Sequence, residues 1–316
     1  MNTAAVSGRG AWILVGPTAT GKTAVANELA RRMDAVVLSA DSMLVYRGMD
    51  IGTAKPTPEE RHGIPFYGID LADPCENFSV GAWLESARAA FADAEARGRD
   101  VIVAGGTGLY VNALLRGLDA PAADPALRKR LEALAREGGA EALRRRAESL
   151  HPGATARLPD PENPRRLVRL VERLSAGAAP GGAGLACRGR VVAGLAITPG
   201  VLSARITARI ESMFKVGLLD EVAALRETWP EFSATAGMGI GYAEAAAVLD
   251  GALTRQDAAE QIARRTRQLA KRQRTWFRTQ LDVEWAAGPA DAADVAHAAD
   301  DVLEIWKRRG KTPVAV

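Results

Sequence analysis

The 316-residue chain contains few of the residues that build metal centres and disulfides. It has two cysteines, Cys75 and Cys187, and three histidines, all far apart in the sequence. Neither residue type has the short, paired spacing of a zinc site, and two distant cysteines do not make the framework of a small secreted domain. Composition therefore argues against both of these classes of protein.

Long apolar runs are also missing. No stretch approaches the roughly 18 consecutive apolar residues that a membrane span requires. Hydrophobic residues make up 47% of the chain and charged residues 25%, which is ordinary for a globular protein. We therefore expect a cytoplasmic protein without a membrane segment, with room for one or two domains.

Charge is nearly balanced overall, at +3, but it is distributed unevenly. Residues 128–173 contain 12 Lys or Arg against 7 Asp or Glu, and residues 261–281 contain seven basic residues and no acid. An anionic partner would respond to such local excesses, although arginine-rich helices are often only solvated faces. Both interpretations stay open on these counts alone.

A phosphate-binding motif lies near the start of the chain. Residues 16–23 read Gly-Pro-Thr-Ala-Thr-Gly-Lys-Thr between an apolar run and a helix-forming run. In this strand, loop and helix context the loop amides surround a phosphate at the positive end of the helix. We predict that Lys22 reaches a terminal phosphate and that Thr23 contacts Mg²⁺ or a phosphate oxygen. The predicted phosphate-binding residues are Gly16, Pro17, Thr18, Ala19, Thr20, Gly21, Lys22 and Thr23.

Two further apolar runs end in polar turns. Residues 35–38 lead to Asp41, and residues 101–104 lead to a glycine-rich turn that carries Thr107. Ligands of open α/β sheets bind beyond the carboxyl ends of the strands, so Asp41 and Thr107 are site candidates. Asp41 has two other interpretations, as a helix N-cap or as a carboxylate that holds a magnesium-bound water.

Alternating strands and helices predict an α/β fold with a P-loop NTPase-like parallel sheet covered by helices on both faces. Residues 1–120 and 190–316 would form the two parts of this core, and residues 121–189 an α-helical insertion. In the second part, residues 202–225 read as one long helix. Residues 257–280 read as another, with a basic stripe beside its apolar side. The stripe consists of Arg264, Arg267, Lys271, Arg274 and Arg278.

Together, these motifs resemble those of the tRNA dimethylallyltransferases, also called tRNA isopentenyltransferases. The run Asp50-Ile51-Gly52-Thr53-Ala54-Lys55-Pro56 is especially diagnostic, because a generic phosphate-binding fold has no use for it. The segments that carry the resemblance are residues 16–23, 39–42, 46–56, 105–110, 163–169, 239–242 and 266–276.

The resemblance implies transfer of a dimethylallyl group from dimethylallyl diphosphate to N6 of adenosine 37 in the tRNA anticodon stem-loop, with Mg²⁺ present. It implies tRNAs that read codons beginning with U, and we expect a monomer. Asp41 would be the general base, Lys22 and Arg209 would contact the diphosphate, and Thr107 would lie where the adenosine enters. The implied tRNA-contacting positions are Asp41, Ser42, Met43, Leu44, Thr107, Arg128, Arg165, Arg166, Leu167, Val168, Arg169, Lys271 and Arg274.

Three other functions stay open on the residues alone. A small-molecule P-loop kinase would use Lys22 and Thr23 on ATP and Asp41 as the acceptor's base. An adenylate isopentenyltransferase would share the prenyl chemistry but would not need RNA-sized basic surfaces. A non-catalytic RNA-binding P-loop protein would lose no activity when Asp41 is replaced by Asn.

Overall fold

A computed structural model describes residues 9–117, 124–158, 160–178 and 187–316. The chain divides into two compact units, one made of Met1–Gly117 with Cys187–Val316 and the other of Leu118–Ala186. The boundary expected after residue 120 lies in segment 118–123, outside the described residues.

The larger unit is built on a mostly parallel sheet. Its strands, among the described residues, are β1 (Gly10–Val15), β2 (Val36–Ser39), β3 (Phe66–Tyr67), β4 (Val101–Gly105), β5 (Cys187–Ala196), β6 (Leu281–Ala287) and β7 (Thr312–Pro313). The order is β3-β2-β4-β1-β5-β6, all parallel, with β7 antiparallel to β1. The predicted parallel sheet is confirmed.

Helices cover both faces of this sheet. The helices of the larger unit are α1 (Lys22–Met33), α2 (Val80–Ala96), α3 (Gly108–Arg116), α6 (Pro199–Val216), α7 (Leu218–Thr228), α8 (Tyr242–Leu249), α9 (Arg255–Gln280) and α10 (Val295–Arg309). One apolar core contains Trp83 and Phe277, and another contains Leu29 and Trp306. None of the described helices combines the length and apolar composition that crossing a membrane requires.

The smaller unit contains α4 (Pro125–Leu150) and α5 (Pro164–Ser175). Leu131 and Leu143 of α4 and Leu167 and Val171 of α5 are buried together in its own core. Helix α4 is interrupted at Gly139, which has φ +63° and ψ −161°. The described part of this unit is therefore a helical pair with an independent core.

One sequence expectation needs correction, and two elements were not predicted. The single helix predicted over residues 202–225 is wrong, because Gly217 adopts φ +110° and separates α6 from α7. Glycine takes this left-handed conformation without the steric cost of a Cβ, so it ends one helix and begins the next. Strand β6 and helix α10 had no counterpart in the sequence analysis.

The carboxyl ends of β2 and β4 approach unusually closely. A Cβ added to Gly105 would lie 2.2 Å from the Ala40 carbonyl oxygen. The Ala40 N–H donates to the Ala104 carbonyl at 2.9 Å, and the Thr107 N–H donates to the Ala40 carbonyl at 3.0 Å. The turns that follow the two strands are therefore held directly against each other.

This close approach predicts a position-specific effect of alanine on stability. Gly105→Ala should lower the free energy of unfolding by about 1–3 kcal/mol, because backbone atoms must move to admit the methyl group. Gly200→Ala is the matched control, since a Cβ there meets open space within α6. Thermal unfolding of both variants measures the difference, and equal melting temperatures would contradict the packing described.

Candidate active site

The phosphate loop connects β1 to the first turn of α1. Gly21 adopts φ +87° and caps the helix, which begins at Lys22. The buried Thr20 side chain donates to the Pro17 carbonyl at 2.9 Å and folds the loop back on itself. The loop therefore places its amides at the positive end of α1, where an anion is stabilised.

Lys22 is half-buried beside this loop, and its Nζ donates to the Pro17 carbonyl at 2.5 Å. Burial lowers the pKa of Lys22 to about 8, because the charged form loses solvation. The Asp41 carboxylate opposes this shift, and the Arg209 guanidinium adds to it. Lys22, Asp41 and Arg209 thus lie within electrostatic range of one another.

A cavity of about 990 Å³ opens beside the loop. Its walls come from the loop and α1, from the ends of β2 and β4, and from α6 and α9. The structure therefore brings the phosphate loop and Asp41 into one site. The predicted site residues that line the cavity are Thr18, Ala19, Gly21, Lys22, Thr23, Asp41, Leu44 and Arg209.

Asp41 and Thr107 are held by the two interlocked turns. The Asp41 Oδ1 accepts the Met43 N–H at 2.9 Å, whereas Oδ2 accepts no hydrogen bond from the described residues. The Thr107 Oγ1 accepts the Ser42 N–H at 3.0 Å and donates to the Ser42 Oγ at 3.3 Å. One carboxylate oxygen is thus fixed by the backbone, and the other has no such bond within the described residues.

Two arginines of α6 reach the same cavity. Arg205 donates to the Ala19 carbonyl at 3.4 Å and to the Ala290 carbonyl at 2.8 Å. Arg209 donates to the Thr53 carbonyl at 2.8 Å. Burial lowers the pKa of Arg209, while Asp41 opposes the shift, and a guanidinium stays charged at neutral pH. Arg209 therefore supplies a permanent positive charge near Lys22.

The run 50–56 is fixed by side chains from α7 and α8. The Glu221 carboxylate accepts N–H groups from Asp50, Ile51 and Gly52 and the hydroxyl of Tyr242. A Cβ added to Gly52 would lie 2.5 Å from the Tyr242 ring. Because Thr53 of this run accepts the hydrogen bond from Arg209, the run positions a cavity arginine.

The buried Lys55 fixes the other end of the run. Its Nζ donates to the Tyr46 carbonyl at 2.6 Å and to the carboxylates of Asp50, at 2.6 Å, and Asp70, at 2.5 Å. A buried ammonium is stable only when it is paired in this way. This lysine therefore has a structural environment, outside the phosphate site.

Gln273 is a cavity residue that sequence reasoning did not single out. Its Oε1 accepts the Thr18 N–H at 2.8 Å, and its Nε2 donates to the Gly106 carbonyl at 3.0 Å. The position of Gln273 in the helical period could have revealed it from the sequence, because residues 269, 273 and 276 share one side of α9. A glutamine on that largely apolar side indicates a buried polar partner.

The predicted tRNA-contacting residues have different environments. In the smaller unit, Leu167 and Val168 are buried in the core, so their side chains do not face solvent. Arg128 and Arg169 form ion pairs with the buried Glu172, at 3.5 Å and 2.9 Å. In the larger unit, the whole basic stripe of α9, including Lys271 and Arg274, is exposed.

Comparison with known proteins identifies the family. A family model described as IPP transferase matches residues 44–280, and one described as isopentenyl transferase matches residues 9–67. A tRNA dimethylallyltransferase of Anaeromyxobacter dehalogenans (strain 2CP-C) is 44% identical, and the match covers 90% of this chain and 97% of the relative. This chain belongs to the tRNA dimethylallyltransferase family. The resemblance drawn from the motifs is confirmed.

Further members and solved structures agree with this assignment. The tRNA dimethylallyltransferase of Geobacillus kaustophilus (strain HTA426) is 40% identical over 93% of this chain and 94% of the relative. A crystal structure of the Bacillus halodurans tRNA isopentenylpyrophosphate transferase has a TM-score of 0.63 and 34% identity, covering 95% of this chain and 100% of that one. A eukaryotic dimethylallyltransferase acting on tRNA, at 23% identity and a TM-score of 0.71, covering 95% of this chain and 76% of that one, shares the fold.

The lowered pKa of Lys22 predicts a pH limit on diphosphate binding. Below about pH 8 the ammonium is present in the free protein, and above it the attracting charge is progressively lost. Affinity for inorganic diphosphate should therefore fall by up to roughly tenfold per pH unit above that point. Calorimetric titrations between about pH 6.5 and about pH 9.5 measure this. Lys22→Met should bind more weakly, and because diphosphate itself also ionises in this range, the variant supplies the reference: the ratio of wild-type to variant affinity should fall above about pH 8. A ratio that is constant across pH 8 would contradict this role for the Lys22 ammonium.

Proposed function

We propose that this protein transfers a dimethylallyl group from dimethylallyl diphosphate to N6 of adenosine 37 in tRNAs that read codons beginning with U. The observation that carries the proposal is one cavity that contains a phosphate loop, the ammonium of Lys22 and the carboxylate of Asp41. The names of the family members supply the transferred group and the class of acceptor.

The chemistry requires two kinds of assistance. The N6 lone pair attacks C1 of the donor, the C1–O bond breaks, and the bonding electrons leave with the diphosphate. Loop amides, Lys22 and Arg209 would stabilise the negative charge that develops there. The attacking amine must also lose a proton, and the open Oδ2 of Asp41 would accept it. Thr107 would hold the Asp41 turn beside the incoming base.

The oxygen donors near the loop fit Mg²⁺. Magnesium is usually held by one or two protein oxygens together with phosphate oxygens and waters. Thr23 lies in the first turn of α1 and lines the cavity, so its hydroxyl suits this role. No group of three His, Cys, Asp or Glu in the described part of the chain would hold a metal without a substrate. Bound Mg²⁺ would supply charge neutralisation at the diphosphate.

Two arginine-rich surfaces support an RNA acceptor. We infer that Arg128, Arg165, Arg166 and Arg169 of the smaller unit contact the anticodon stem-loop, together with Lys271 and Arg274 of α9. Leu167 and Val168 would support these arginines from the core, and Ser42, Met43 and Leu44 would contact the base through the Asp41 turn. We further propose that the protein acts as a cytoplasmic monomer.

The product identifies the reaction. Purified protein is incubated with Mg²⁺, labelled dimethylallyl diphosphate and unmodified tRNA, with AMP and ATP as competing acceptors, and the nucleosides are then analysed. We expect label on N6 of adenosine 37. Label on the free nucleotide would instead indicate an adenylate isopentenyltransferase. ATP turnover without prenyl transfer would indicate a kinase.

A substitution at Asp41 tests catalysis separately from diphosphate binding. Asp41→Asn keeps the oxygen that accepts the Met43 N–H but cannot take up the amine proton. Single-turnover transfer should therefore fall by about 10²–10⁴-fold, while inorganic diphosphate still binds. Asp73→Asn, which changes a half-buried carboxylate paired with Arg47, serves as the control. Transfer at the wild-type rate by Asp41→Asn would remove the base from the mechanism.

A further inference from the structure

Gln273 lines the cavity and links the phosphate loop to the turn that follows β4. The Thr18 N–H belongs to the phosphate loop, and the Gly106 carbonyl precedes Thr107 in the turn after β4. Among the described residues, no other side chain forms hydrogen bonds to both of these segments. The half-buried amide therefore connects the segment that would hold the donor to the segment that would hold the acceptor.

The two bonds require a side-chain amide. Thr18 offers a donor, so its partner must be an acceptor, and Gly106 offers an acceptor, so its partner must be a donor. A carboxylate cannot donate to Gly106, and an ammonium or guanidinium cannot accept from Thr18. The two backbone partners also fix which end of the amide carries oxygen. Among charged and amide side chains of this length, only glutamine satisfies both.

Helix α9 is seated so that this amide has little freedom. A Cβ added to Gly106 would lie 2.4 Å from the Gln273 Nε2, and a Cβ added to Gly108 would lie 2.4 Å from the Trp276 ring. The two glycines flank Thr107, Gly106 in the turn and Gly108 at the start of α3. Gln273 and Trp276 lie about one helical turn apart on α9. Their close contacts on either side of Thr107 fix the amide relative to the segment that carries this threonine.

We propose that Gln273 is a positioning residue, which sets the distance between the diphosphate-holding loop and the Thr107 turn for prenyl transfer. This inference rests on the proposed function. Well-oriented reactants gain much of their rate from geometry, and a misplacement of about 1 Å costs about 10²-fold. Loss of the bridge should therefore lower the rate of transfer without removing either binding surface.

The experiment uses variants with matched changes. Gln273→Met keeps the side-chain length and removes both hydrogen bonds. Gly106→Ala drives the amide away by its methyl group, and Gln273→Ala gives that methyl group room. Gln256→Met is the control, since Gln256 is exposed on the same helix, near its start, and pairs with Glu260. The measurements are single-turnover transfer with saturating substrates and affinities for inorganic diphosphate and tRNA.

We expect Gln273→Met to lower single-turnover transfer by about 10²-fold with both affinities little changed, and Gln256→Met to behave as wild type. Gly106→Ala should cause a similar loss. Its effect should disappear in the Gln273→Ala background, because the two changes act through one bridge.

Three results would overturn the proposal while wild-type protein remains active. The first is transfer at the wild-type rate by Gln273→Met. The second is a rate loss in the Gly106→Ala/Gln273→Ala double variant that equals the product of the two single losses. The third is an affinity of Gln273→Met for diphosphate that falls as much as its rate. The last would mean that Gln273 merely keeps the loop folded. Absence of transfer by wild-type protein would instead count against the proposed function itself.

Discussion

Gly105 has no side chain, and this allows the ends of β2 and β4 to meet. The Ala40 carbonyl occupies the space that a Cβ at position 105 would need. Asp41 and Thr107 follow these two strand ends, so the same contact brings a carboxylate and a hydroxyl turn together. The phosphate loop follows β1, which pairs with β4 in register. Parallel pairing thus gathers the chemically useful turns at one edge of the sheet, as open α/β sheets generally do.

The run at residues 50–56, on which much of the resemblance to the family rests, has a structural role in this protein. Glu221 takes up its backbone N–H groups, Tyr242 requires the glycine at position 52, and Lys55 is neutralised by two carboxylates. The run in turn receives the hydrogen bond from Arg209. The run therefore acts on the site indirectly, by holding the Arg209 guanidinium at the cavity.

Local patterns were enough to predict part of this structure. The phosphate loop, the turns at Asp41 and Thr107, the parallel sheet and the exposed basic stripe of α9 follow from motif spacing and periodicity. The break at Gly217 was missed because a single glycine does not reveal its φ in sequence. Gln273 was missed because its partners, Thr18 and Gly106, are distant in the chain and meet only through tertiary packing.

We propose above all that one cavity aligns the diphosphate, the acceptor amine and the Asp41 carboxylate. A crystal structure with an unreactive thio-analogue of dimethylallyl diphosphate and an anticodon stem-loop tests it most directly. We expect diphosphate on the amides of residues 16–23, with N6 about 3–3.5 Å from C1 and within hydrogen-bond reach of Asp41. Diphosphate bound elsewhere, or an adenosine 37 that does not approach Asp41, would contradict it.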